Sequence, residues 1–211
     1  MFQSPGAPQR ASHPVAPASA ILTAASHLLP VLERGERVDA AQLRAAMEAG
    51  FGASDAEGAW AWKTAYEACE VTQVLFLEKF GTALARGSAT IASDPRRMLG
   101  RLERLATLFP TQSRRSEESV RLQQFSTPLP LAFVASVAAC LTRDDVVLEP
   151  SAGTGLLAAF ARLAGARLHL NELAETRAEL LSKLFEGTAV TRYDAAHIDD
   201  LLAPEIAPSV V

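Results

Sequence analysis

The sequence has 211 residues with a formal net charge of -4, and 49% of its residues are hydrophobic while 21% are charged. This mixture supports a buried core and excludes disorder throughout the chain. The negative charge excludes an overall attraction to phosphate, so contact with nucleic acid requires a local basic patch or another segment. No apolar run reaches the roughly 20 residues that cross a bilayer, and no signal-peptide pattern is found, so we expect no membrane partner and a cytoplasmic location.

The N-terminal half of the sequence predicts a tail followed by a helical domain. Prolines interrupt residues 1–17, which predicts a flexible tail. Apolar side chains then recur at helical spacing through residues 18–110, which predicts a helical bundle. Its longest helix, after Ser54, should present an aromatic-rich face to the bundle core. The side chains of that face are Trp62, Tyr66, Cys69, Phe76 and Phe80.

Capping residues predict where three of the helices begin. A side-chain oxygen at the N-cap satisfies free amides of the first helical turn, and a Glu or Gln three residues later completes the motif. The starts are predicted at Asp39 with Gln42, at Ser54 with Glu57, and at Asp94 with Pro95. Pro110 is expected to end the last of these helices.

The C-terminal half predicts an α/β fold. Residues 111–124 are polar and are interpreted as a linker or a short solvated helix. Within residues 125–211, short apolar strands alternate with helical segments, which predicts part of a doubly wound, Rossmann-like parallel sheet with crossover helices. The strands are expected at 146–148, 168–170 and 189–192, and the helices at 156–163 and 174–185.

The first predicted strand runs into a turn of small residues, Glu149-Pro-Ser-Ala-Gly-Thr-Gly155. Gly153 and Gly155 permit a tight turn whose amides face outward, and the following helix adds its positive N-terminal end. A carboxylate or phosphate group could bind there. The full glycine spacing of a dinucleotide fingerprint is missing, so a packing turn is the alternative.

Acidic residues follow the next two strands. Glu172 ends the second strand, 23 positions after Glu149, which is about the spacing at which doubly wound folds hold the hydroxyls of an adenosine ribose. Asp194 follows the third strand at the same expected edge, where it could receive an adenine amino group. The alternatives are structural: Glu172 could cap the helix that starts near Ala174, and Asp194 could be a cap or turn residue.

The order of these motifs resembles that of amino-methyltransferases that act on adenine in DNA, in the subgroup whose Thr-Pro motif comes first. The motifs are Phe125-Ser-Thr-Pro128, the glycine-containing turn, Asn171-Glu172 and Asp194. The resemblance implies an S-adenosylmethionine cofactor bound in a crevice at the strand ends. The residues that it assigns to the cofactor are Phe125, Thr127, Pro128, Glu149, Ser151, Gly153, Gly155, Asn171, Glu172 and Asp194.

In that family the Thr-Pro motif contacts the methionine part of the cofactor. The resemblance gives this role to Thr127, with Phe125 and Pro128 shaping the wall of the site, and implies that the glycine turn holds the methionine end too. The same segment also fits an ordinary helix start, with Ser126 or Thr127 as the cap and Pro128 in the first turn, and both interpretations can hold together.

The chain is also similar to the N-terminal part of bacterial proteins related to strawberry notch, in which a helical leader and a methyltransferase-like domain precede a helicase-like NTPase. The similar stretches are residues 50–60, 114–119 and 171–177. This similarity implies DNA as a partner through a longer parent protein. It leaves a second function open, that of a noncatalytic nucleotide-binding or docking module of a helicase-like NTP hydrolase.

The sequence departs from the methyltransferase family in its catalytic motif. Neither Asn-Pro-Pro-aromatic nor Asp-Pro-Pro-aromatic occurs in the 211 residues. In the family this motif binds the target amine after the adenine has been flipped out of the duplex. We therefore predict no catalytic residue in this chain and interpret it as a fragment that binds cofactor. A parallel sheet with an open edge is expected to fold weakly or to self-associate.

The spacing of side chains does not support other chemistry. The histidines are scattered, so no metal site is predicted, and the turn lacks the Lys-Ser or Lys-Thr pair of a phosphate-binding loop. Arginines between residues 96 and 115 form a candidate basic patch, although a solvated helix face is the favoured interpretation. Cys69 and Cys140 each lie in an apolar helical pattern, which predicts buried thiols in a reducing compartment.

Overall fold

The computed structural model describes residues 16–85, 94–111 and 126–211. Within these ranges, eight α-helices and a three-stranded parallel sheet form a mixed α/β fold. The first four helices are α1 (Pro17–Glu33), α2 (Ala40–Phe51), α3 (Trp62–Ala85) and α4 (Pro95–Ala106). The later elements are α5 (Leu129–Ala138), β1 (Val146–Glu149), α6 (Leu156–Leu163), β2 (Arg167–Asn171), α7 (Glu175–Leu184), β3 (Ala189–Thr191), a 3-10 helix (Ala195–His197) and α8 (Ile198–Leu201).

Side-chain caps start two of the N-terminal helices where the sequence predicted them. The Asp39 carboxylate accepts a hydrogen bond from the Gln42 amide at 2.8 Å, and the Gln42 side chain accepts one from the Asp39 amide at 2.9 Å. This reciprocal pair is a capping box at the start of α2. Asp94 accepts a hydrogen bond from the Arg97 amide at 3.0 Å and caps α4. Both predicted starts are confirmed.

The predicted helix start at Ser54 is wrong. Glu57 accepts hydrogen bonds from the amide and the hydroxyl of Ser54, but the chain after them only turns, and α3 begins at Trp62. Gly58 has a left-handed φ of +76°, which a right-handed helix does not accommodate. The capping pair therefore stabilises a turn that precedes the helix.

Helix α3 lies in the middle of the fold. Every residue from 65 to 74 is buried, so this part of the helix is buried on all sides instead of on one aromatic-rich face. Helix α1 packs against α3, and α6 packs against it from the α/β part. The apolar core consequently continues from α1, α2 and α3 into α5, α6 and α7. The predicted linker, residues 111–124, lies outside the described residues except for Thr111.

The strands pair in the order β1-β2-β3, and all are parallel. On the other side of β1, Val210 forms a parallel bridge with Val147, and the Leu148 amide donates to the Val210 carbonyl at 2.9 Å. Strand β1 therefore has a hydrogen-bonded neighbour on each side, β2 on one side and the segment at Val210 on the other. The three predicted strands and two crossover helices are confirmed, with ends that differ by no more than one residue.

The two cysteines occupy different environments. Cys69 is buried in α3, as predicted, and burial together with the charge of Glu70 raises the pKa of its thiol. Cys140 is exposed, so the prediction of a buried thiol is wrong at that position. The reason is that α5 ends at Ala138, and Cys140 lies in the turn that follows with a φ of +51°.

The predicted tail, residues 1–17, lies outside the described residues except for Ala16 and Pro17. Pro17 is already the first residue of α1, where its fixed φ suits the first helical turn. No helix in the described part of the chain combines the length and the apolar character that a membrane crossing requires.

Candidate functional site

The carboxyl ends of the three strands meet at one edge of the sheet, where Asn171 joins them. Its side-chain amide donates to the carbonyls of Pro150 and Tyr193, both at 2.9 Å. Its Oδ1 accepts from the Tyr193 amide and the Thr191 hydroxyl, both at 2.8 Å. The side chain is buried, and these bonds use its two donors and two acceptor positions. Asn171 therefore supports the predicted site by fixing the strand ends.

The chain between β1 and α6, residues 150–155, forms the glycine turn that the sequence predicted. Gly153 and Gly155 have left-handed φ values of +59° and +91°, which glycine adopts without a steric penalty. A Cβ added to Gly155 would lie 2.5 Å from Cε2 of Phe185, whereas one added to Gly153 would meet nothing within 4 Å. Gly155 therefore permits close packing inside the protein, and Gly153 borders open space.

Glu172 points into the glycine turn. Its Oε2 accepts a hydrogen bond from the Gly153 amide at 2.9 Å, and its Oε1 accepts one from the Ala174 amide at 2.9 Å. The residue is only 7% exposed. The structure thus brings the predicted ribose acid and the glycine turn together, while the Ala174 contact shows that Glu172 also braces the start of α7. Each carboxylate oxygen has a second acceptor position, which a ligand hydroxyl could use.

Glu149 ends β1 at the same edge of the sheet and is partly buried. Burial raises the pKa of its carboxyl to about 6, and the backbone amide of Ser151 offsets this shift only in part. Ser151 itself is exposed. A carboxyl with this pKa is ionised at neutral pH and becomes neutral in mild acid, so the charge of the site depends on pH.

Asp194 follows β3 at this edge and is exposed. Its carboxylate accepts a hydrogen bond from the Ala196 amide at 3.0 Å and caps the 3-10 helix. The capping role considered in the sequence analysis is confirmed. Contact between Asp194 and an adenine stays a prediction.

The Thr-Pro segment is described only in part, because Phe125 lies outside the described residues. Helix α5 begins at Leu129 with Pro128 as its N-cap residue, and no side chain caps it. The expectation that Ser126 or Thr127 caps this helix is therefore wrong. Pro128 lies before the helix because its φ of -59° comes with an extended ψ of 142°, which does not continue a helical turn.

Helix α5 nevertheless brings the Thr-Pro segment into the α/β part. The rings of Phe133 in α5 and Phe160 in α6 lie with their centroids 5.6 Å apart, and both side chains are fully buried. Burial of aromatic rings in such tilted pairs stabilises the contact between helices. The segment that contains Thr127 and Pro128 thus leads directly into the helix packed on α6, which begins at the glycine turn.

A contact between α3 and the glycine turn was missed by the sequence analysis. The Thr154 hydroxyl donates to Oε2 of Glu70 at 2.8 Å, and both residues are buried. The available signal was the spacing of Glu67, Glu70 and Gln73, three polar residues at three-residue steps in the largely apolar middle of the helix. All three are buried, so this row of side chains faces other parts of the protein.

Arg177 connects the same helix to α7. Its Nε donates to Oε1 of Glu67 at 2.6 Å, and Nζ of Lys63 lies 2.7 Å from the same oxygen. Burial acts to lower the pKa of Arg177, but the charges of Glu67, Glu70 and Glu172 outweigh it and raise the pKa above its ordinary value. The carboxylates of α3 and the acid at the end of β2 therefore belong to one electrostatic cluster.

Other candidate groups are not assembled in the described part of the chain. Within residues 16–85, 94–111 and 126–211, no three His, Cys, Asp or Glu side chains come together as metal ligands could. Arg101 of the candidate basic patch donates to the Leu84 carbonyl at 2.6 Å. Arg114 and Arg115 lie outside the described residues.

Comparison with known proteins adds no assignment. No protein-family model matches this chain, and no curated protein or solved structure matches it. The motif order and the geometry of the strand ends are therefore the observations that bear on its function.

Proposed function

We propose that this chain binds S-adenosylmethionine as the cofactor-binding part of an adenine-type DNA methyltransferase-like protein. The observation that carries the proposal is the 2.9 Å hydrogen bond from the Gly153 amide to Glu172 at the carboxyl edge of the sheet. In doubly wound folds, an acid at the end of the second strand holds the ribose of an adenosine, and the glycine turn after the first strand lies beside it.

The proposal includes a doubly wound, Rossmann-like sheet. The bridge between Val210 and Val147 supports this arrangement, because it lies on the side of β1 opposite β2. We infer from this bridge that the strand order reverses at β1. Open α/β sheets bind ligands outside the carboxyl ends of their strands at such a reversal, and the glycine turn follows β1 itself.

Charge favours a sulfonium nucleoside over a nucleotide at this edge. Glu149 and Glu172 both lie there, and carboxylates attract the positive sulfonium of S-adenosylmethionine. An acid in the position of Glu172 suits the ribose of any adenosine ligand, so the distinction lies in Glu149, whose charge repels the phosphates of ATP. The charge of Glu149 also disfavours the alternative function, a nucleotide-binding module of a helicase-like NTP hydrolase.

The proposal assigns no catalytic residue to this chain, because neither form of the Pro-Pro-aromatic motif occurs in its sequence. DNA would be contacted through a longer parent protein, and self-association through the sheet edge is part of the same proposal. The proposed compartment is the cytoplasm, where thiols such as Cys69 and Cys140, both free in this structure, remain reduced.

Isothermal titration calorimetry of the 211-residue chain tests the proposal. We expect S-adenosylmethionine to bind and ATP not to bind. Glu172→Gln should weaken binding at least about tenfold, because a hydrogen bond to a charged group contributes about 1.5–3 kcal/mol. Glu179→Gln is the matched control, since Glu179 is an exposed acid of α7.

Three results would contradict the proposal: no heat with S-adenosylmethionine, equal affinity for ATP, or unchanged affinity in Glu172→Gln. The second result would instead favour the nucleotide-binding module. Circular dichroism of each variant at the titration temperature ensures that only folded protein is compared.

A further inference from the structure

A buried carboxylate in a helix core requires an explanation, and Glu70 of α3 is such a group. It is 2% exposed, and removing an ionised carboxylate from water costs several kcal/mol unless partners compensate for the lost hydration. One compensating partner is the Thr154 hydroxyl, 84 positions away in the sequence. The fold therefore retains a buried charge at the point where the N-terminal helices contact the glycine turn.

The position of Thr154 within the turn makes this contact consequential. Thr154 lies between Gly153 and Gly155, and glycines have more backbone freedom than other residues. The turn is held within its own backbone by the Gly155 amide, which donates to the Ala152 carbonyl at 2.9 Å. A hydrogen bond from the intervening side chain to a helix buried on all sides restrains the turn from outside.

A second contact from the same helix face supports this restraint. Glu67 lies one helical turn before Glu70 and binds the buried Arg177 at 2.6 Å. Arg177 belongs to α7, whose first turn follows Glu172. The two carboxylates of α3 thus engage both segments that form the predicted ligand site, the glycine turn and the start of α7.

We propose that α3 is a positioning element of the ligand site and that Glu70, acting through Thr154, holds the glycine turn in its binding conformation. The identity of the ligand in this inference rests on the proposed function, whereas the restraint on the turn does not. Ligand binding and the docking of α3 are therefore coupled, and coupling between two sites is reciprocal. Neither Glu70 nor Arg177 needs to touch the ligand.

The restraint is tested first without ligand, by hydrogen exchange of the amides in residues 152–155. Thr154→Val removes the hydroxyl and keeps the shape, and Glu70→Gln removes the charge. We expect both variants to accelerate exchange in the turn by about tenfold. Thr154→Ser retains the hydroxyl and should exchange as the parent does, and Glu48→Gln, an exposed acid of α2, is the control for loss of a carboxylate.

The coupling is tested next by titrating the same variants with S-adenosylmethionine. We expect Thr154→Val to raise Kd about tenfold and Thr154→Ser to restore it. Thr154→Val should raise Kd less in the Glu70→Gln background than in the parent, because part of its effect is the loss of a hydrogen bond to the charged carboxylate of Glu70. A merely structural role would lower the melting temperature of the variants and leave Kd unchanged at a temperature where all are folded.

The outcomes separate this inference from the proposed function. Unchanged exchange in Thr154→Val overturns the restraint, and unchanged Kd in a chain that binds S-adenosylmethionine overturns the coupling. If the unmodified chain does not bind S-adenosylmethionine but exchange accelerates in Thr154→Val, the proposed function fails and the positioning role of α3 stands. If Glu70→Gln does not fold, the comparison of Thr154→Val with Thr154→Ser tests the positioning role by itself.

Discussion

The two ends of the parallel sheet are built in contrasting ways. At the carboxyl edge, buried polar side chains are satisfied by specific partners, as Asn171 and Glu172 show. Near the amino end of β1, a cavity of about 530 Å³ lies between the ends of α5 and α6 and is lined chiefly by apolar side chains. Val137, Leu141 and Phe160 are among them.

The contrast teaches that the proposed ligand site is not the place in this fold with the most open volume. The cavity at the amino end offers space, and its polar lining residues are Ser136, Thr142, Arg143 and Asp144. The carboxyl edge offers Glu149, Glu172 and the left-handed glycines, and a binding site needs a few well-placed polar groups to fix the ligand's orientation. Substitutions can separate residues that serve packing from residues that form the carboxyl edge, and the largest effect is expected in the glycine turn.

The first prediction compares the two glycines of the turn. Gly155→Ala should lower the free energy of unfolding by about 2–4 kcal/mol, because its Cβ would overlap the buried Phe185 ring and a left-handed φ adds strain. Gly153→Ala should cost only about 1 kcal/mol, since its Cβ would meet open space. Urea unfolding followed by circular dichroism measures both changes.

The two glycine substitutions should differ in another order when ligand affinity is measured instead of stability. Gly153 borders the space in which we propose that the ligand lies, so Gly153→Ala should weaken S-adenosylmethionine binding more than its small cost in stability suggests. Equal losses of stability in the two variants would show that Phe185 yields easily, and that Gly155 has no special packing role.

The second prediction concerns pH. The pKa of Glu149 is about 6 in the folded protein against 4.5 for the unperturbed group, so the folded state binds this proton more tightly. The resulting stabilisation is complete below pH 4.5 and is lost as the pH rises through 6. Relative to the parent, Glu149→Gln should therefore gain stability with rising pH, by up to about 2 kcal/mol between pH 4.5 and 8.

Urea unfolding of both proteins at several pH values measures this gain, and titrations common to both chains cancel in the difference. A difference that stays constant from pH 4.5 to 8 would contradict the raised pKa. The same carboxylate should favour a cationic ligand, so the affinity of the parent for S-adenosylmethionine should decrease as the pH falls below 6, and Glu149→Gln should remove that decrease.

Local sequence patterns predicted the carboxyl edge better than the contacts around it. Strands and crossover helices were placed within one residue because apolar runs and glycine turns determine them locally. The capping box at Asp39 was found for the same reason. The pair of Ser54 and Glu57 led to a wrong prediction of a helix start, because a helix cap and a turn use the same hydrogen bonds. Only the left-handed Gly58 distinguishes the two structures.

The contacts between α3 and the turn could not be predicted in this way. Glu70 and Thr154 are 84 positions apart, and no periodicity connects them. The spacing of Glu67, Glu70 and Gln73 could have indicated a polar row in the core, but its partners depend on tertiary packing. The burial of α3 on all sides likewise follows from its place between the N-terminal helices and α6, which its own pattern does not encode.

The smallest predicted effect lies at the amino end of the sheet. The amides of Cys140 and Leu141 close α5 by donating to the carbonyls of Val137 and Ser136, at 3.1 Å and 3.4 Å. This helix ending places Cys140 at a φ of +51°, a position that glycine normally occupies. Cys140→Gly should raise the free energy of unfolding by about 0.5–1 kcal/mol, and Cys140→Ala, which retains the strain, should not.

Because this end of the sheet carries no part of the proposed site, S-adenosylmethionine affinity should be equal in both variants. A loss of affinity in Cys140→Gly would show that the two ends of the sheet are coupled. The two ends would then differ in structure but would both contribute to ligand binding.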